Sequence, residues 1–350
     1  MTSSFTRPSR VVAVVATLAA LAAAPALAGC APSASSDGDA PKGTTSIKFQ
    51  LDWVKNSQFS GFFSAEDEGY FADAGLDVQF LDGGDVASTA SVIAGGGAQL
   101  GIVSNMARLY DANASGADLV AVGALYQTSP AGIMTTPDRE VTSVDDLVGL
   151  KIGTDEAGQP DIDSLFKVNG DEPDWTPVRV GFDAAPLFAG KIDAYYCYVT
   201  NQPVTSELQG QESNVVTFAD LGFQSYAGLI VATRKYLDSH RDDVRAFLTA
   251  AQKGWQKVAD DPKAAVSLTL SSYGASLGLD EATELGTLEA QLPLMQSAFS
   301  QEHGLLALDV DAIAGPMYDA LRASGRTDLP DPQEVYDTAL LEETTSSGQS

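Results

Sequence analysis

Cysteine, histidine and positive charge are all scarce in this chain. Its 350 residues contain two cysteines and two histidines, and 20 Lys and Arg stand against 47 Asp and Glu. The net charge of −27 leaves no basic patch to neutralise phosphates, so no nucleic-acid partner is expected. His240 and His303 lie in the helical C-terminal part, away from any strand end. No metal-ligand spacing accompanies them. Cys197 has no histidine within sequence reach and reads as a small buried apolar residue rather than a nucleophile. With Cys30 modified, as argued next, no intramolecular disulfide is available. Beyond the N-terminus no apolar run approaches membrane-spanning length. The glycine run at 95–97 reads as a helix stop, not a phosphate-cradling loop.

What is present begins with a leader. Arg7 and Arg10 form a positive segment, residues 11–26 are rich in Ala, Val and Leu, and Leu27, Ala28 and Gly29 precede Cys30. This order predicts a secretory signal over 1–29, and it resembles a bacterial lipobox in which Cys30 is lipidated. An ordinary signal peptide with an incidental cysteine is the alternative. Residues 30–45, rich in Ser, Pro, Gly and Asp, are expected to be a flexible tether.

The body, 44% hydrophobic over the whole chain, alternates strands with helices. Strands are expected at 47–51, 76–81, 100–103 and 119–126, with helices at 59–71, 86–94 and 106–114 between them. This is the rhythm of βαβ units in a mostly parallel sheet. Gln127 to Gly132, with Pro130 inside, interrupts it. A second α/β pattern follows, with strands at 133–135, 175–180, 192–198 and 215–218, and the chain is expected to cross back near 224–227 into a strand at 228–233. Helices are expected near 162–168 and 184–189 and, beyond the last strand, at 241–260, 262–272, 280–294 and 310–323. Two α/β lobes with two crossings make a clamp that hinges on a small ligand. Lobe 1 is expected to comprise 46–128 and 227–335, lobe 2 129–226, and a tail 336–350.

Five segments carry a family resemblance: WVKNSQFSGFFSAEDEGYFADAGLDV, VIAGGGAQLGI, DLVAVGALYQTSPAGIM, DDLVGLKIG and GLIVATRKYL. In this order they resemble the solute-binding proteins of ABC importers related to thiamine-pyrimidine synthases. The resemblance implies a type II periplasmic-binding-protein fold, a small-molecule ligand, an ABC permease as partner, a monomer, and no cofactor. It points to a thiamine pyrimidine precursor of the hydroxymethylpyrimidine type, with riboflavin, or a sulfonate, taurine or nitrate, as alternatives.

The resemblance also implies where the ligand sits. Trp53 corresponds to a cleft tryptophan that stacks on a flat ring, the alternative being a core residue. Asn56 and Gln58 offer directional amides, although Asn56 could equally cap the following helix. Phe59, Ser104, Asn105, Tyr126, Tyr195, Tyr198, Asn201, Gln202 and Tyr226 complete the expected set. Many pyrimidine-binding relatives read Trp-x-Pro-Asn-x-x-His, where this chain has Lys55 and Phe59. Several have Glu where it has Gln202, which leaves room for a larger heterocycle such as a flavin. For a small anion, Lys55 and Arg108 are the candidate cations. A pyrimidine synthase would need a lysine, a histidine and a cysteine run, and these positions fall on Ser104, Arg108 and residues 222–226, which hold no Cys.

Overall fold

The computed structural model describes residues 43–84, 88–155 and 158–341. The expected leader, Cys30, most of the tether and the last nine residues lie outside that range.

Among the described residues the strands are β1 (Thr45–Gln50), β2 (Leu76–Leu81), β3 (Leu100–Asn105), β4 (Leu119–Tyr126), β5 (Ala131–Thr135), β6 (Lys151–Thr154), β7 (Thr176–Arg179), β8 (Ala194–Tyr198), β9 (Asn214–Thr217) and β10 (Ala227–Thr233). They form two five-stranded sheets, ordered β2-β1-β3-β10-β4 and β7-β6-β8-β5-β9. Each sheet is mixed. β10 runs antiparallel to β3 and β4, and β5 runs antiparallel to β8 and β9. The other pairings are parallel. The reversed strands are those the chain enters directly after passing from one sheet to the other. The two passages touch: the Ser129 backbone N–H donates to the Ser225 carbonyl at 3.0 Å.

The first sheet is covered on both faces, which is why every residue of β4 is buried. On one face Phe49 of β1 meets Phe62 of the helix Ser60–Asp67 at 4.9 Å and Phe247 of the helix Arg241–Asp260 at 5.0 Å. Phe71 stacks on Phe247 from the side, at 5.0 Å and 17°. Truncating any of these rings to Ala would cost about 3–5 kcal/mol.

Three expectations need correction. The single helix over 59–71 is two helices, Ser60–Asp67 and Tyr70–Asp73, because Gly69 takes a left-handed φ of 74° between them. The expected tail is packed at its start: Tyr336 bridges to Ala121, its hydroxyl lies 2.6 Å from that of Tyr110, and Leu340 and Leu341 are buried. The expected tether ends early as well, since Thr45 already opens β1 and donates to the Gly75 carbonyl. One helix went unexpected. Gln202–Leu208 follows the end of β8, and Pro203 sits in its first turn, where a missing N–H costs nothing.

Candidate ligand-binding cleft

β1, β3, β6 and β8 deliver residues at their C-terminal ends to one cavity, joined by the loop after β7. Its volume is about 320 Å³. This is where open α/β sheets bind ligands, because side chains there are free of the ladder and loops can carry chemistry. The first sheet contributes Asp52, Trp53, Gln58, Ser104, Asn105 and Arg108. The second contributes Thr154, Asp155, Asp161, Phe182, Tyr195, Tyr196, Cys197, Tyr198, Asn201 and Gln202.

The turn after β1 is held from two sides. Gly83 N–H donates to the Trp53 carbonyl at 3.0 Å, and a side chain at Gly83 would overlap the Leu51 carbonyl and the Trp53 backbone nitrogen. On the other side stands the helix Glu281–Leu294. Glu284 Oε2 accepts from the Ser57 N–H at 2.7 Å, and Gln291 Nε2 donates to the Gln58 carbonyl at 3.0 Å. Glu284 and Gln291 are two turns apart on one face, and both are buried. The same helix packs against Gln202–Leu208 of the other lobe, with Gly286 facing Val204.

Trp53 and Phe182 are exposed, with their ring centroids 5.6 Å apart at 62°, one from each lobe. The Tyr195 hydroxyl donates to the Gly181 carbonyl at 2.6 Å, which fixes the loop carrying Phe182. Tyr196 donates to Asp161 Oδ2 at 2.9 Å. The amide oxygens of two polar residues are committed locally: Asn105 Oδ1 accepts from the Arg108 N–H, and Gln202 Oε1 from the Tyr198 N–H. Their amide N–H groups remain to address a ligand.

Burial sets the ionisation of the wall. It pushes the Asp52 carboxyl from its ordinary 3.8 up to about 7, opposed only by the residue's own backbone N–H. Burial also raises Asp161, against the Tyr196 hydroxyl and the charge of Arg108. The Cys197 thiol is pushed up by burial, which keeps it protonated and unreactive.

Of the residues expected at the site, Trp53, Gln58, Ser104, Asn105, Tyr195, Tyr198, Asn201 and Gln202 meet on this wall. Four do not. Phe59 is fully buried beside Phe63 in the core. Asn56 caps the turn Ser57–Phe59, accepting from the Gln58 N–H. Tyr126 is buried behind the wall and donates to Gln291 Oε1 at 3.2 Å, and the Tyr226 hydroxyl accepts from the Asp309 N–H at 3.0 Å. Both tyrosines end or adjoin strands, where the period of two lets a ring face the core instead of the cleft. Lys55 is not on the wall, while Arg108 is. Asp52, Asp161, Phe182 and Tyr196 are additions. Tyr196 belongs to the visible tyrosine cluster of β8, whereas Asp52 and Phe182 carry no sequence signal beyond their neighbours. His240 and His303 are elsewhere, stacked on Tyr236 and Phe299. Among the described residues no group of three His, Cys, Asp or Glu could hold a metal, and no helix is long and apolar enough to cross a membrane.

Comparison with known proteins agrees with this architecture. The riboflavin-binding protein RibY of Chloroflexus aurantiacus is 26% identical over 325 residues, covering 89% of this chain and 90% of its own. A formylaminopyrimidine-binding protein of Halalkalibacterium halodurans is 23% identical, covering 83% and 84%. The pyrimidine phosphate synthase THI13 of Saccharomyces cerevisiae is 29% identical but matches 63% of this chain and 68% of its own. Among solved structures, the aliphatic sulphonate binding protein SsuA of Escherichia coli superposes with a TM-score of 0.62 at 15% identity, covering 83% and 91%. That likeness places the chain in the periplasmic-binding-protein fold. The NMT1/THI5 like family model matches residues 56–265, and the chain belongs to that family.

Proposed function

We propose that this protein is a lipid-anchored, extracytoplasmic substrate-binding protein of an ABC importer. Its ligand in this reading is a small aromatic heterocycle, a thiamine pyrimidine precursor of the hydroxymethylpyrimidine type. The observation that carries the reading is the composition of the wall: the rings of Trp53, Phe182, Tyr195, Tyr196 and Tyr198 surround free amide donors in one cavity. Flat rings stack on such a surface, and amides select their edges. A volume of about 320 Å³ lies at the low end for small-molecule sites, which favours a one-ring ligand over a flavin with its side chain. Two relatives named for binding riboflavin and formylaminopyrimidine support the aromatic class.

Three carboxyls, Asp52, Asp155 and Asp161, face a single guanidinium, Arg108, among the described wall residues. That balance disfavours a sulfonate or nitrate. The non-catalytic reading is supported by Ser104 and Arg108, which stand where a synthase would carry lysine and histidine. Residues 46–128 with 227–335 would close against 129–226 as rigid lobes, bury the ligand and present the closed form to the permease. The lipid anchor in this reading is at Cys30.

A thermal-shift panel of hydroxymethylpyrimidine, its formylamino precursor, thiamine, riboflavin, taurine and nitrate tests the ligand class. Stabilisation by a pyrimidine is expected. Stabilisation by the anions alone would overturn the aromatic reading, and turnover with pyridoxal phosphate and iron would overturn the non-catalytic one.

A further inference from the structure

Asp52 stands apart from the other polar groups of the cleft. It follows β1 directly and lines the cavity next to Trp53. Its Oδ1 is sealed from solvent and has no hydrogen-bond partner. Buried carboxyl oxygens are normally paired, since leaving one unpaired carries its full desolvation cost. The groups around it do not relieve that cost. Arg108 acts on Asp161 and Tyr198 across the cavity rather than on Asp52. Tyr126, which feels the Asp52 charge from behind, gives its proton to Gln291 instead. Tyr198 feels the same charge and lies on the opposite lobe.

The position is also rigid. Leu51 N–H donates to the Leu81 carbonyl at 3.1 Å, and the Gly83 contact holds the next residue. A carboxyl fixed in a cavity wall, part-exposed there and with only its own backbone N–H as a protein donor, is arranged for a donor that arrives from outside.

We propose that Asp52 is a specificity-determining residue of the cleft, its carboxyl receiving the N–H edge of the ligand, an exocyclic amino group beside a ring nitrogen. The inference rests on the aromatic-heterocycle reading given above and narrows it to amino-bearing rings. It also assigns the roles of the two walls. Gln202, its amide oxygen engaged by the Tyr198 N–H, offers N–H groups on one side, and Asp52 supplies the carboxyl on the other. A bound amino group satisfies the carboxyl, whereas a ring lacking it leaves the carboxyl buried and unpaired, so discrimination exceeds the worth of one hydrogen bond.

The test is a calorimetric titration of the wild-type protein, Asp52→Asn and Asp52→Ala with hydroxymethylpyrimidine and with its analogue carrying hydrogen in place of the exocyclic amine. Wild type is expected to prefer the amino compound by about tenfold or more. Asp52→Ala is expected to lose that preference and Asp52→Asn, which keeps an amide oxygen as acceptor, to retain part of it, both melting no lower than wild type because an unpartnered carboxyl has been removed. A merely structural aspartate would give the reverse, a lower melting temperature with the preference intact, and that result overturns the proposal. The comparison of two ligands on wild type needs no variant: equal affinity for both removes the role of Asp52 alone. Binding of neither pyrimidine removes the pyrimidine reading together with it.

Discussion

Trp53 and Phe182 meet edge to face across the cleft, 5.6 Å between centroids, although 128 residues separate them and each belongs to a different sheet. Both rings are exposed, Phe182 by 70% and Trp53 by 39%, so the burial of Phe182 contributes little to the fold. In the proposed function their contact would be exchanged for a ligand.

Removing either ring should therefore separate binding from stability. Trp53→Ala and Phe182→Ala are each expected to weaken an aromatic ligand by roughly tenfold, in keeping with stacking energies of about 1–3 kcal/mol. The unfolding free energy of Phe182→Ala is expected to stay within about 0.5 kcal/mol of wild type, as for other surface positions, and that of Trp53→Ala to fall further because its ring is more covered. Calorimetry with urea denaturation checks both. Undiminished affinity in both variants would remove stacking at the cleft mouth from the account.

The buried carboxyls set a pH dependence whose sign follows from the direction of their shifts. Asp52 keeps its proton to about 7 in the fold and to near 3.8 when unfolded. Between those values the folded chain binds more protons, so its stability falls as pH rises through the window. Asp161, also raised by burial, acts in the same direction, while Tyr126 and Tyr198 are pushed above their usual range and stay neutral throughout. Urea denaturation between about pH 4 and pH 8 should show Asp52→Asn falling less steeply than wild type. Parallel curves would place Asp52 in contact with water.

Glu284 should matter to both the fold and the cleft. In Glu284→Ala the Ser57 N–H loses its acceptor in a buried setting, a cost of about 1–3 kcal/mol. Glu284→Gln keeps an acceptor and is expected to lose less. Because the turn carrying Trp53 and Gln58 rests on this bond, ligand affinity should fall in the same order, measured by calorimetry. Equal stability in both variants would mean that water replaces the carboxylate.

The strands and lobes were legible because their signals are local. β2 alternates strictly, Leu76, Val78 and Phe80 inward with Asp77 and Gln79 outward, and β4 is apolar along its whole length. The candidate wall was legible chiefly where aromatic or polar residues end or follow a strand, as at Trp53, Ser104, Asn105 and Tyr198. Tyr126 and Tyr226 carry the same signal yet face the core, because which way a ring points at a strand end depends on packing from far along the chain. Asp52 was invisible for the same reason. Its burial follows from its place within the fold, and nothing in the sequence beside it announces that. Phe182, between Gly181 and Asp183, reads as loop until Tyr195 pins the segment from β8.

The helix Glu281–Leu294 has a mechanical consequence. The two crossings, tied by Ser129 and Ser225, touch where a hinge between the sheets would have its axis. The contact of Gly286 with Val204 is a further link between the halves, so any rotation must slide or break it. In a hinging cleft the ease of opening would thus be governed in part by a contact outside the cavity wall, and substitutions at Val204 would offer a way to tune how often the cleft opens without altering what it holds.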